Sequence, residues 1–426
     1  MIKRLILFTL LVVPVFGAYV SQRSITINHA QAGSTNTTPF VFPFRTTSTW
    51  LNGALDNIQS SVTIGNGLDI KNGDSILVES ERMLVTVGGG TSSLTVTRGT
   101  GGTTKVTHLV KTPVTNIFLA TVANGGTVQN TSGYDVIFSS SITCSSTLNF
   151  ELESYATSGV ASWHVQIASL SYTADLVIYV CYNNSSISTF QGNTTATWDV
   201  HFVRVYHLSV GNQPLDSTGN NNLTSSSTAC PTGAGLGSGA VNLVDGCTNG
   251  TAQSGNSSTG LPTGSAVSTL EAWLGVNGCY SSYFITQYGG TGHLRGIVQQ
   301  GCNTFKYTSN YLSHDLNASY VILPRPSWNY YAVSYDGTKA YLYYQGSILN
   351  AGGTIFADTT TSGNVTINAS GVTSGMNFDE VRFSDSSRSP DYMLATYNAY
   401  KPGSTFFILG AAAPIPTGGS YTTIME

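Results

Sequence analysis

Short alternating segments broken by turn clusters run through this chain, and few folds accept that rhythm. Arg23-Ser-Ile-Thr-Ile-Asn-His29 alternates polar and apolar residues, the period of a strand with one buried face. An apolar run, Phe40 to Phe44, follows a Gly/Ser/Thr turn. From about Thr47 to Val114, Asn72-Gly73-Asp74, Gly88-Gly89-Gly90 and Gly99 to Gly102 separate short strands at Ser61–Ile64, Ser75–Val78, Met83–Val87 and Ser93–Thr97. That spacing predicts a small independent β module. Longer strands resume at Tyr134–Phe138, Leu148–Ser154, Ser162–Ile167 and Leu176–Tyr182, and end at Trp198–Leu208. A helical reading has little support, because only 9% of residues are charged where about 25% is usual. The polarity lies instead in Ser, Thr and Asn, which compete with helical backbone and suit strands and turns. The expected fold class is all-β.

The net charge of −4 comes without any basic run, so nucleic acid is a poor partner. Residues 1–17 read as a signal peptide, with Lys3 and Arg4 before the apolar Leu5–Val15 and the small Gly17 near a cleavage point. That apolar stretch is shorter than the roughly 20 residues a membrane span needs, and no later segment matches its hydrophobicity. The expected location is therefore secreted, extracellular or cell surface, with no transmembrane segment in the mature chain. Six cysteines, Cys144, Cys181, Cys230, Cys247, Cys279 and Cys302, form an even set without a CxxC pair, which favours disulfides over zinc or thioredoxin-type chemistry. Sequential pairing keeps each bridge inside one candidate domain.

Several segments carry a resemblance. Arg23 to His29, Phe118-Leu-Ala-Thr-Val-Ala-Asn-Gly-Gly126, Gly133-Tyr-Asp-Val-Ile-Phe138, Leu148-Asn-Phe-Glu-Leu-Glu-Ser-Tyr155, Ile178-Tyr-Val-Cys-Tyr-Asn183 and Trp198 to Leu208 resemble the bacterial domain of unknown function 2341, a β-sandwich of exported proteins with no established activity. Asp216-Ser-Thr-Gly-Asn220, Ser268-Thr-Leu-Glu-Ala-Trp273, Trp328 to Gly337, Ala340 to Gly346 and Phe378-Asp-Glu-Val-Arg-Phe383 with Ser387-Arg-Ser389 are similar to a LamG-like, concanavalin A-like jellyroll. The resemblance implies tandem β-sandwiches: residues 18–46 with 115–208 as the first, 47–114 inserted within it, 209–409 as the jellyroll and 410–426 as a tail. The insert itself is similar to small β repeats of phage tail and surface proteins.

No catalytic constellation emerges. His29, His108, His164, His201, His207, His293 and His314 show no metal-peptidase spacing, and neither a GxSxG elbow nor a phosphate loop occurs. Glu151 and Glu153 lie at i and i+2 on one strand face, about 7 Å apart, a separation glycosidases use, but they fall in the module without assigned chemistry. His201 and His207 read as structural or exposed. The jellyroll resemblance implies one structural Ca²⁺ bound by oxygens of Asp216, Asn220 and Asp379, and no other cofactor is expected. Sequons occur at Asn36, Asn130, Asn183, Asn184, Asn193, Asn222, Asn249, Asn256, Asn317, Asn364 and Asn368, each a possible N-glycosylation point in a host with the machinery.

Two function classes follow. One is a non-enzymatic structural or adhesive building block of an extracellular filament or surface assembly. Arg23, Ile25 and Ile27 at one end and Phe406, Phe407, Ile408 and Leu409 at the other form strands that either pair within their own subunit, which the family resemblance favours, or add head to tail to the open sheet edge of a neighbouring copy. The other is a lectin-like module that binds glycans on Tyr280, Tyr283, Tyr288, Tyr307, Tyr311 and Trp328. Partners are then the protein itself, glycans or cell-surface proteins.

Overall fold

The structure, a computed structural model, describes residues 18–46, 48–208, 215–223, 247–248, 253–254, 258–276, 280–290, 292–301, 303–309, 315–319, 327–350, 352, 359–360, 362–367, 376–401 and 403–416. The fold is all-β, built from antiparallel sheets. One face of the first sandwich orders Phe407–Leu409, Ser21–Ile27, Leu176–Tyr182 and Ile137–Ser139; the other orders Phe150–Tyr155, Ala161–Ile167 and Phe40–Thr46. Alternation drives the closure: Ile25, Ile27, Ile178 and Val180 on one sheet meet Phe42, Phe44, Trp163 and Val165 on the other, all essentially buried. A Cys144–Cys181 disulfide ties the loop after Ile137–Ser139 to the adjoining strand.

Residues 48–116 form their own six-stranded sheet around Ile76, Val78, Met83, Val85, Leu94 and Val114. Arg23 locks this insert to the first sandwich by a bidentate bond to Asp74, one arm at 3.0 Å, with its guanidinium over the Phe118 ring.

The jellyroll packs a sheet of Phe202–Tyr206, Met376–Ser384, Ser268–Val276, Ser327–Tyr335, Ala340–Tyr344 and Ser347–Asn350 against a second sheet centred on Tyr280–Gly290 and His293–Gly301. In Ser327–Tyr335, Tyr331, Val333 and Tyr335 enter the jellyroll interior, whereas Trp328, Tyr330 and Ala332 join the core of the first sandwich. A strand buried on both faces has little use for polar alternation, hence the dense aromatic run. Between the sandwiches lies the Pro390–Tyr400 helix, with Ser389 accepting from the Tyr392 N–H as its cap and Pro390 in the first turn. Met393, Ala395 and Tyr400 are buried in the shared core.

Two expected strand assignments are corrected. Phe202–Tyr206, assigned by sequence to the first sandwich, pairs with Met376–Ser384 and is an edge strand of the jellyroll sheet. Phe407–Leu409, assigned to the jellyroll, crosses back and pairs with the opening strand, Ile25 opposite Leu409 and Ile27 opposite Phe407. The two terminal strands pair within one chain, the arrangement the family resemblance favours: the opening strand has Leu176–Tyr182 on one side and Phe407–Leu409 with Ala413–Pro414 on the other. Arg23, Ile25, Ile27, Phe406 and Leu409 are buried, and Ile408 faces outward. Within one chain these strands complete their own main-chain ladder, the pairing that an exchange between subunits would have to replace with an identical one. Among the described residues, no helix is long and apolar enough to cross a membrane.

Candidate functional site

Where the first sandwich meets the jellyroll, charged side chains converge in the interior. Glu151 stands opposite His164 across the Phe150–Tyr155 and Ala161–Ile167 pair, and the register shifts between Leu152 and Ser154, so Glu153 occupies a bulge. Bulges re-aim side chains, and here both carboxylates end up buried. From the jellyroll side, His207 follows the Phe202–Tyr206 strand. Glu380 lies where Met376–Ser384 shifts register against Ser268–Val276, at φ +52°. A non-glycine residue there is strained and persists only where its surroundings fix it.

The contacts are dense. His164 Nε2 lies 3.0 Å from Glu153 Oε2 and 3.5 Å from Glu380 Oε1; its Nδ1 is 2.9 Å from the Tyr400 hydroxyl. His207 Nδ1 is 3.0 Å from Glu380 Oε1 and its Nε2 3.3 Å from Glu151 Oε2. The two imidazoles stack with centroids 4.1 Å apart. Glu151 also accepts from Trp198 Nε1 at 2.7 Å and from Ser217 Oγ. Arg45 donates to Glu380 at 3.3 Å and to Ser162, whose hydroxyl donates to Glu153 at 2.7 Å. Arg382 donates to the other oxygen of Glu380 and lies over the Tyr400 ring, 4.5 Å from its centroid.

Burial would raise the pKa of Glu380, but His207, His164 and Arg382 more than offset that and hold it well below the carboxylate range. Glu153 is held at about 2 against its own burial, chiefly by the His164 hydrogen bond and the two histidines' charges; Glu151 is also lowered against its burial, with His207 the main opposing influence. Burial would lower His207, yet Glu380 and Glu151 on its two nitrogens push it well above an ordinary imidazole. His164 is lowered by burial and by the adjacent His207. Asp379 moves well above its usual value through burial, reinforced by Glu380 and Glu153.

Chemically this is a lock more than a reaction centre. Glycoside hydrolysis needs a protonated acid and a free carboxylate flanking a sugar, whereas Glu151 and Glu153 are both sealed and already bonded to protein groups. Sequence reading noticed Glu151 and Glu153 and set His207 aside as structural or exposed; His207 is buried in the cluster, while His201 is exposed and 2.8 Å from Asp385. The pair Asp379 and Glu380 reads in the sequence as local hydrogen bonding with Arg382, a contact that Glu380 makes; that His164 and Arg45 join it escaped, because residues so far apart in the chain leave no spacing motif.

Other expected sites fare differently. The calcium set does not fit. Both Asp216 oxygens accept protein bonds, Oδ1 from the Val205 N–H of the Phe202–Tyr206 strand and from the Thr218 N–H, and Oδ2 from the Asn221 N–H. The Asn220 amide contacts Thr218 and Val203, and Asp379 sits with the buried cluster. A site needing six to eight oxygens is not assembled there. Of the glycan platforms, Tyr288, Tyr307 and Trp328 are core residues at most 4% exposed, because their strands turn those faces inward. Tyr280 and Tyr283 lie on a described strand whose side chains there fall outside the described residues, as does Tyr311. Asn184 is buried, the Asn193 side chain caps the Thr194–Thr197 turn and the Asn130 amide donates to Ile187; these sequons are spent on structure. Asn36, Asn222, Asn317 and Asn364 are exposed, Asn183 is half-buried at φ +68°, and Asn249, Asn256 and Asn368 lie outside the described residues. So do Cys230, Cys279 and Cys302 and the side chain of Cys247. An open groove of about 720 Å³ is lined by Pro39, Gln166, Trp198, Val200, Phe202 and Asn220.

No family model matches the chain, and no curated protein matches it. Among solved structures it is similar to domain 4 of AbnA, an extracellular GH43 arabinanase from Geobacillus stearothermophilus solved with arabinotriose, at 19% identity and TM-score 0.35 over 46% of this chain and 98% of that one. It is also similar to the binding domain of Paraclostridial Mosquitocidal Protein 1, at 9% identity and TM-score 0.36 over 47% and 52%. A botulinum neurotoxin type C structure, whose cell entry depends on two ganglioside molecules, aligns at 13% identity and TM-score 0.35 over 49% of this chain and 52% of that one.

Proposed function

We propose that this chain is a secreted, non-enzymatic structural or adhesive protein whose domains act as one stiff unit. The observation that carries the reading is the junction: one apolar core runs from the first sandwich through the Pro390–Tyr400 helix to Trp273, Trp328 and Tyr330 of the jellyroll, and the buried charged cluster crosses the same boundary. Adjacent domains of a chain usually share modest, fairly polar interfaces and move; a continuous core removes that freedom. The sealed state of each Glu and His in the cluster supports a non-enzymatic role. Because the terminal strands pair within the chain, self-assembly would use lateral faces of the folded unit. Electron microscopy and sizing of the natively exported protein test this: regular fibres or sheets support a building block, and discrete monomers reject self-assembly and leave adhesion to be measured.

A second reading, carbohydrate binding, has its own observation. The groove between Pro39 and Asn220 combines edges of Trp198 and Phe202, the outward Val200 and polar Gln166 and Asn220, the mixture of apolar surface and a few placed polar groups that small ligands use. A glycan array with signal that disappears in Asn220→Ala supports it; no signal above background rejects it.

A further inference from the structure

We propose that the cavity between the insert and the first sandwich binds a small carboxylate, carried by a sugar acid or a simple organic acid, with Arg82 as its anchor. The cavity measures about 210 Å³ and is walled by Asp74, Ser75 and Arg82 of the insert and by Arg23, Phe118 and Tyr182 of the sandwich. It shares no lining residue with the groove between Pro39 and Asn220. Its charges do not balance. Arg23 is engaged by Asp74, whereas Arg82 has no carboxylate within ion-pair distance among the described residues, and its side chain reaches a single protein acceptor, Ser75 Oγ, 3.2 Å from Nη2. The Nε–H groups of Arg82 and Arg23 are both buried without a hydrogen-bond partner. Buried donors left unmet are costly and rare, and a guanidinium edge is the shape that a carboxylate meets with two parallel bonds. With Arg23 and Arg82 against Asp74, the lining carries a surplus of one positive charge. That suits a monoanion, since the second charge of a dianion would be repelled by Asp74.

The glycine cluster at 99–102 holds the anchor in place. The Arg82 N–H donates to Thr103 Oγ1 at 3.0 Å, and its carbonyl accepts from Thr100 Oγ1 at 3.1 Å. Gly101 and Gly125 flank the side chain at φ +64° and +81°; a Cβ on either would lie 3.1 or 3.2 Å from Arg82 atoms, so the two glycines leave the arginine its room. An arginine fixed in this way loses little freedom when it binds. Phe118 and Tyr182, with ring centroids 5.7 Å apart, add apolar wall beside the polar groups, the mixture that small-molecule sites use. A volume below the roughly 300–1,000 Å³ of drug-sized sites limits the guest to about one sugar ring.

The test is calorimetric titration of the intact protein with sodium D-glucuronate, D-glucose, sodium acetate and inorganic phosphate at constant ionic strength. Glucuronate or acetate should bind with a Kd on the order of 1 mM or tighter, and glucose at least about tenfold more weakly than the better carboxylate. Arg82→Gln should weaken the carboxylate at least about tenfold, and Arg82→Lys, which keeps the charge without the planar fork, should restore only part of the loss. Acetate binding as tightly as glucuronate identifies a simple organic acid as the guest, and weaker acetate binding identifies a sugar acid. Circular dichroism shows whether each variant is folded; if Arg82→Gln is not, the wild-type preference for carboxylate over glucose and phosphate decides alone. Binding of neither carboxylate, equal affinity for glucuronate and glucose, tighter binding of phosphate, or unchanged carboxylate binding in folded Arg82→Gln overturns the site.

Discussion

Glu81 shows at the scale of one residue how this protein handles buried charge. It lies in the insert, where Arg98 makes a bidentate bond to it with both arms at 2.6 Å, the Val106 N–H donates at 3.1 Å and His108 Nε2 sits 3.0 Å away. Burial alone would raise its pKa; those bonds overcome it and hold the group at about 2. A carboxylate depressed in the folded state contributes stability above its unfolded value, near 4.5, and loses it as the pH falls toward 2. Urea unfolding of the insert, followed by hydrogen exchange of Glu81–Val87, should therefore weaken by on the order of 2 kcal/mol between pH 5 and pH 2.5. Glu81→Gln should flatten that slope while lowering stability at pH 7; an unchanged slope would refute the assignment. Arg98→Met removes the guanidinium from the buried carboxylate and leaves it only the Gly99 and Val106 N–H groups and His108; it should cost about 3 kcal/mol at pH 7.

At the scale of elements, the returning strand is the sharpest case. Phe406 is buried against Phe40 and Phe42, with ring centroids 5.6 and 5.8 Å apart, whereas Ile408 is 56% exposed. Phe406→Ala should cost about 3–5 kcal/mol and Ile408→Ala no more than about 0.5 in denaturant unfolding; equal costs would mean that the strand is not docked in solution. The apolar run from Phe406 was readable as a strand, but its partner was not, because pairing across almost the whole chain leaves no local trace. Most strands were legible, with Ser75–Val78, Ser93–Thr97 and Leu176–Tyr182 ending where alternation and turn residues end. The Pro390–Tyr400 helix was missed although Ser389-Pro390-Asp391 is a helix start; buried on several sides, it shows no polar stripe to mark its period. Trp328 misled for a related reason: an aromatic strand reads the same whether it faces a ligand or a neighbouring domain. Of the charged cluster Glu151-x-Glu153 and the local set Asp379, Glu380 and Arg382 were visible, but not that they meet, since the fold gathers them.

For the whole molecule, the question is whether the two sandwiches and the insert unfold as one. The insert has a separate core and joins the first sandwich through its two chain connections, the Arg23–Asp74 pair and the Ile117 N–H donating to the Ser75 carbonyl. The sandwiches, by contrast, share Met393, Tyr400, Trp273 and Trp163 in one cluster, and Arg388 reinforces the boundary with a bidentate bond to Asp199 at 2.7 and 2.8 Å. Cooperative units follow shared buried contacts more than chain connectivity. Native-state hydrogen exchange should then give Ala161–Ile167 and Ser268–Val276 the same opening free energy and Glu81–Val87 a lower one. Met393→Ala removes a side chain from the shared wedge, a change costing about 2–5 kcal/mol. It should lower both sandwiches by the same amount and leave the insert untouched. If the jellyroll opens while Ala161–Ile167 stays protected, the junction is a hinge, and the stiff-unit reading of function fails with it.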